Sequence, residues 1–161
     1  EITIRNEMGY KHIERIRKRF PEIKVGVGTV LNINQLLNSI DSGAQFAVSP
    51  GYEFELALKA KDLGIPYLPG VSCPSHIMSL LKININLFKF YPANALGGVS
   101  YLKSLAAPFP MALFCPTGGI NENNYKEWIV EKNVICVGGS WLAPKGFNNY
   151  NEITKKALQI K

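Results

Sequence analysis

With 161 residues, 47% of them hydrophobic and 19% charged, the chain has the composition of a globular domain with one sizeable core, which excludes a disordered or fibrous protein. A net charge of +6, from 18 basic and 12 acidic residues, favours anionic ligands over cationic ones. The longest apolar run, around Ile83 to Tyr91, is broken by Asn84, Asn86 and Lys89 and is too short to span a bilayer, so no membrane partner is expected.

In chain order the pattern is strand, helix, strand, helix. Strand-like runs begin near Ile2, Lys24, Gln45, Pro66, Leu87, Met111 and Val134, separated by segments of helical periodicity. The first such segment carries the densest basic patch, Lys11 to Arg19. Ile13, Ile16 and Phe20 recur there at helical spacing with charges between them, which describes a solvated helix face; no reading motif or aromatic cluster supports nucleic-acid binding. Asn32 precedes Ile33 to Ile40, Pro74-Ser75 precedes His76 to Leu81, and Asn121 precedes Glu122 to Val130 as an N-cap.

Strand starts recur at roughly 20 to 25 residues, the size of a βα unit. A closed (β/α)8 TIM barrel requires one more than the seven units counted. Either the sheet is open and doubly wound, or a barrel lacks its first βα unit at the N-terminus. The second is preferred, because a first strand with charges on one face makes a poor edge. No linker divides the chain, so residues 1–161 are expected to form a single domain.

Strand alternation sets Glu1, Thr3 and Arg5 on one face and Ile2 with Ile4 on the other. Outward faces of a barrel pack under helices, so the polar trio points inward, either as a structural ion pair or as part of a site. The same alternation sets Leu87, Lys89 and Tyr91 inward and Phe88 with Phe90 outward. Pro92 closes this strand and leaves Lys89 near its carboxyl end, where barrels keep their active sites. Low dielectric and neighbouring cations favour the neutral form of an amine, and a neutral amine attacks carbonyls to give a Schiff base.

Thr29 and Pro50-Gly51 end the second and third strands at the same rim. The Thr29 hydroxyl either binds a carboxylate or caps the next helix. Thr117-Gly118-Gly119 and Gly138-Gly139-Ser140 follow the last two strands, the slots in which barrels bind phosphate through close backbone amides. His12 and His76 lack ligand spacing and the cysteines form no C-x-x-C, so no metal and no cofactor is expected. Cys73, Cys115 and Cys136, odd in number and widely spaced, read as buried thiols in a reducing compartment, hence a cytoplasmic protein.

On Glu1 to Arg5, Val25 to Asn32, Gly43 to Gly51, Phe88-Lys89-Phe90-Tyr91-Pro92-Ala93, Pro116 to Ile120 and Gly138 to Leu142, the chain resembles the 2-keto-3-deoxy-6-phosphogluconate aldolase family, which also acts on 4-hydroxy-2-oxoglutarate. The resemblance implies a class I aldolase on a (β/α)8 barrel, assembled as a homotrimer, whose partner is a small phosphorylated keto acid. It implies Lys89 as the Schiff-base lysine and Glu1 as the proton-moving carboxylate. Arg5 and Thr29 then hold the pyruvate carboxylate, Thr117 lies near the reacting hydroxyl, and Gly118, Gly119 and Ser140 belong to the phosphate site, with Pro50, Gly138 and Gly139 beside them. Family members carry a further helix and strand before the glutamate, in agreement with the missing unit. Two departures bear on substrate preference: Cys73-Pro74-Ser75-His76 where Thr-Pro-Ser-Glu is usual, and Asn94 where an acidic residue is common. The alternatives are an aldolase for the 6-phosphogalactonate epimer and a non-catalytic anion-binding barrel in which Lys89 and Arg5 pair with Glu1.

Overall fold

The computed structural model describes residues 1–144 and 146–159; positions 145, 160 and 161, which the expected domain includes, lie outside the described residues. Every strand pairing is parallel, as βα repetition requires. Strands β1 (Ile2–Thr3), β2 (Val27–Gly28), β3 (Ala47–Val48) and β4 (Tyr67–Leu68) neighbour one another in sequence order, and so do β5 (Gly70–Val71), β6 (Leu87–Phe90) and β7 (Leu113–Pro116). The run expected from Pro66 is thus two short strands. Pro69 separates them: lacking an amide it leaves the ladder there, while its carbonyl still accepts from the Lys89 amide at 2.9 Å. The run expected at Val134 appears as two isolated parallel bridges to β7, Phe114 to Val134 and Thr117 to Gly138. Between the two bridges the chain advances three residues along β7 and four along the other segment, so that segment bulges and no regular ladder forms.

Helices α1 (Met8–Arg19), α2 (Ile33–Asp41), α3 (Phe54–Asp62), α4 (Pro74–Leu81), α5 (Gly98–Ala106), α6 (Tyr125–Ile129) and α7 (Tyr150–Gln159) follow in the order set by the periodicity. The first six cover the outward side chains of the strands, while α7 buries none of its residues. Ile4, Val27 and Ala47 pack in one cluster with Ile13 and Leu36; Val71, Phe88, Phe90 and Phe114 pack in another with Ile77, Leu102 and Trp128. The inward rows are therefore left to Glu1, Gly28, Lys89 and Cys115, the arrangement of an α/β barrel.

Three local expectations need correction. Phe20 does not continue the α1 stripe: it is the C-cap and exposed, beyond the last helical turn. Asn121 does not cap a helix over 122–130; α6 starts at Tyr125, because the Asn121 and Asn124 side chains take the backbone amides of Asn123 and Asn121 and hold 121–124 as a turn. Of the cysteines only Cys115 is buried; Cys73 is the N-cap of α4, and Cys136 lies exposed in the bulge, because Val134 and Val137 take the outward core positions around it.

A buried polar chain ties β3 to its neighbours. Tyr67 donates its hydroxyl to Ser49 Oγ at 2.7 Å, and Ser49 donates to the Val30 carbonyl at 2.6 Å. Burial pushes the Tyr67 phenol up to about 12, with the Glu53 charge adding and the Ser49 bond opposing. An unfolded tyrosine ionises near ~10. Between those values the unfolded chain has released a proton that the folded chain retains, so stability falls as pH rises from 10 towards 12. Tyr67→Phe should flatten that loss in alkaline thermal melts and lower stability by about 1 kcal/mol near neutral pH, since Ser49 keeps its bond to Val30.

Candidate active site

Lys89 is only 9% exposed yet carries a charged group, flanked by Phe88 and Phe90, both fully buried on the opposite face. Register places Gly70 on one side of it and Cys115 on the other. Gly70 has no side chain because the Pro50–Gly51 backbone fills the space a Cβ would need, which brings Pro50 to the strand next to the lysine. The Lys89 amine lies 4.8 Å from the centroid of the Tyr91 ring, whose face favours a cation. Alternation had put Tyr91 on the inward row, but only the structure shows this contact.

Glu1 is exposed, and its side chain lies across Gly28: a Cβ there would run into the carboxylate. Gly26 is similarly covered by the Phe46 ring, so the two glycines of Gly26-Val27-Gly28 serve close packing. Arg5 and Thr29 line a cleft of about 450 Å³ with Ile4, Tyr10 and Gln35. The cap of α2 is Asn32, which accepts from the Gln35 amide at 2.9 Å, so Thr29 is released from that duty. Its φ of 64° is the left-handed conformation a threonine rarely adopts, a strain of about 1–2 kcal/mol that persists where surroundings dictate it and that gathers at functional sites.

Among the described residues the ion pairs are Lys103–Glu131 and Lys156–Glu152. Glu1, Arg5 and Lys89 are thus not joined within 4 Å, and the pairing on which the non-catalytic reading depended is absent among them. Nor does the Arg5 cleft include Lys89 in its lining. A second cavity of about 520 Å³ includes Leu87, on the inward row two residues before Lys89, with Lys24, Phe46, Val48 and Leu68.

The glycine loops lie side by side. Thr117 bridges Gly138, whose missing side chain makes room for the threonine hydroxyl. Gly118 and Gly119 have φ of 98° and 79°, and their amides, like those of Gly139 and Ser140, donate to no protein acceptor among the described residues. Four amides without protein acceptors on adjoining turns suit an anion. Asn94, read from sequence only as a departure, donates to the Gly119 carbonyl at 3.1 Å, and Asn124 donates to the same oxygen at 3.0 Å. These two side chains hold the loop open. An acidic residue at 94 could accept but not donate, so the position carries a structural signal that spacing did not reveal. His76, the other departure, accepts from the Ser72 amide through Nδ1 at 3.3 Å and stacks on Tyr52, taking part in the start of α4.

No group of three or more metal-binding side chains gathers among the described residues, and no helix there is long and apolar enough to cross a membrane. The family model described as "Aldolase: KDPG and KHG aldolase" matches residues 1–156. A curated KHG/KDPG aldolase of Escherichia coli K12 is 44% identical over 162 residues, covering 99% of this chain and 76% of that protein. The KDPG aldolase of Legionella pneumophila, solved with pyruvate captured as a covalent carbinolamine intermediate, is similar at TM-score 0.87 and 40% identity, over 97% of this chain and 73% of that one. The Zymomonas mobilis 2-keto-3-deoxy-6-phosphogluconate aldolase with 3-phosphoglycerate is similar at TM-score 0.92 and 37% identity, over 97% and 74%.

Proposed function

The chain belongs to the KDPG and KHG aldolase family, and from that premise we propose that Lys89 is the imine-forming nucleophile of a class I aldolase. The activity is reversible cleavage of 2-keto-3-deoxy-6-phosphogluconate to pyruvate and glyceraldehyde 3-phosphate, with 4-hydroxy-2-oxoglutarate as a second substrate giving pyruvate and glyoxylate. The observation that carries the assignment is a buried, inward lysine with no carboxylate partner among the described residues, at the carboxyl end of a parallel strand.

Arg5 and Thr29 bind the keto-acid carboxylate from their shared cleft. The Lys89 amine adds to the keto carbon; loss of water gives a protonated imine, which withdraws electrons from the adjacent carbon as the C–C bond breaks. Glu1 moves the protons of addition, dehydration and cleavage. Thr117 lies by the reacting hydroxyl. The amides of Gly118, Gly119, Gly139 and Ser140 take the distal phosphate and fix the scissile bond over the imine. We further assign residues 1–161 to one aldolase domain that works as a cytoplasmic homotrimer.

Pyruvate release, followed with and without phosphate on the substrate, tests the reading. Gly119→Ala forces a side chain onto φ 79° and into the Asn94 amide. It should raise KM for the phosphorylated substrate by about 10- to 100-fold while leaving 4-hydroxy-2-oxoglutarate cleavage nearly unchanged. Equal losses on both substrates would remove the glycine loops from the phosphate site.

A further inference from the structure

The mechanism leaves all three thiols unused, and two of them lie on adjoining segments. Cys115 is buried on the inward row of β7, directly in register with Lys89, and its Sγ lies 4.0 Å from the Thr117 hydroxyl. The bridges Phe114 to Val134 and Thr117 to Gly138 enclose Cys115 on one side and Cys136 on the other, and Ile135 and Gly138 donate their amides to Phe114 and Pro116 between them. The bulge carries Cys136 out of the outward core, on the segment that runs alongside Cys115. Neighbouring strands lie about 4.8 Å apart, inside the roughly 4.4–6.8 Å that a disulfide accepts between Cα atoms. Cys73, at the start of α4, has no such neighbour among the described residues.

We propose that Cys115 and Cys136 form an oxidation site: a reversible disulfide, made by a peroxide, that shuts the imine site beside it. The coupling to Lys89 rests on the aldolase reading; the disulfide itself does not. The neighbouring Cys115 lowers the Cys136 thiol to about 7, so that an exposed thiolate is present near neutral pH, while Cys136 and burial push Cys115 up. The Cys136 thiolate attacks one peroxide oxygen, the O–O bond breaks, and the departing hydroxide takes a proton and leaves as water. The Cys115 sulfur then attacks the sulfenic sulfur; the S–S bond forms, the S–O bond breaks, and a second water carries away the thiol proton. Two thiols and one peroxide become one disulfide and two waters. Closing the sulfurs to about 2.05 Å draws Cys115 away from Thr117 and shifts the strand that flanks Lys89.

The test titrates the reduced full chain with hydrogen peroxide, maps thiols by alkylation and mass spectrometry, and traps pyruvate on Lys89 with borohydride before and after. The proposal expects a peptide cross-linked between Cys115 and Cys136. It also expects trapping to fall by about 10- to 100-fold, the scale of an ångström-sized displacement at a reacting group, and to return with dithiothreitol. Cys136→Ser should keep its trapping under peroxide, and Cys73→Ser should behave as the parent. Cross-links to Cys73, a Cys115–Cys136 link with trapping unchanged, or a Cys136→Ser protein inactivated as fast as the parent would each overturn it. A reduced protein that never traps pyruvate refutes the aldolase reading and the coupling with it, while the cross-linked peptide still stands or falls by itself.

Discussion

Lys89→Ala is expected to abolish pyruvate release, lowering kcat by roughly 10⁵-fold or more, the scale on which removal of a covalent nucleophile acts. Borohydride in the presence of pyruvate should add the reduced adduct to Lys89 in the parent and to no residue in the variant. The control is built into the structure. Lys24 lines the cavity below Lys89. A general reactivity of cavity-lining amines would label the exposed Lys24 in both proteins, whereas imine catalysis at the strand end labels Lys89 alone. Lys89→Met separates chemistry from folding, because no carboxylate among the described residues is left orphaned by the change. Thermal stability should stay equal or rise, since an apolar side chain replaces a buried charge. An adduct on Lys24 with Lys89 unmodified in a folded protein would remove the mechanism.

The period of two was the most informative signal in the chain. It separated Phe88 and Phe90 from Lys89, and Ile2 and Ile4 from Glu1, because a barrel strand has one helix-covered face and one inward face and its sequence must declare which is which. Element order followed for the same reason. What the alternation could not carry was anything set by contacts between distant segments. Asn94 reaches the Gly119 carbonyl from 25 residues away to meet Asn124 there, and its side chain has no local partner that would mark it. Nor does spacing show that Thr29 adopts a left-handed backbone, that Pro69 divides a strand, or that the segment carrying Cys136 bulges beside Cys115. At the turn before α6, the Asn121 and Asn124 side chains compete with the helix for backbone amides, and the local bonds prevail until Tyr125.

Glu1→Gln should leave substrate affinity nearly intact and lower kcat by about 10²- to 10⁴-fold, the range over which a positioned proton-transfer group acts. Glutamine matches glutamate in size and still fits across Gly28, so binding should persist while the group able to carry a proton is gone. Exchange of the pyruvate methyl protons with deuterium from solvent, read by NMR, isolates this step, because exchange needs both the imine and a base. It should fall with kcat, although borohydride still traps the adduct on Lys89 at long times. Gly28→Ala then asks whether position or mere presence matters: strand geometry tolerates alanine there, yet its Cβ takes the space the carboxylate occupies. With the carboxylate displaced by about 1 Å or more, exchange should drop by up to about 100-fold although the acid remains in the chain. Unchanged exchange in both variants would assign the proton to a different group. Loss in Glu1→Gln alone would mean that the carboxylate can work from more than one place, and that Gly28 is needed only for packing.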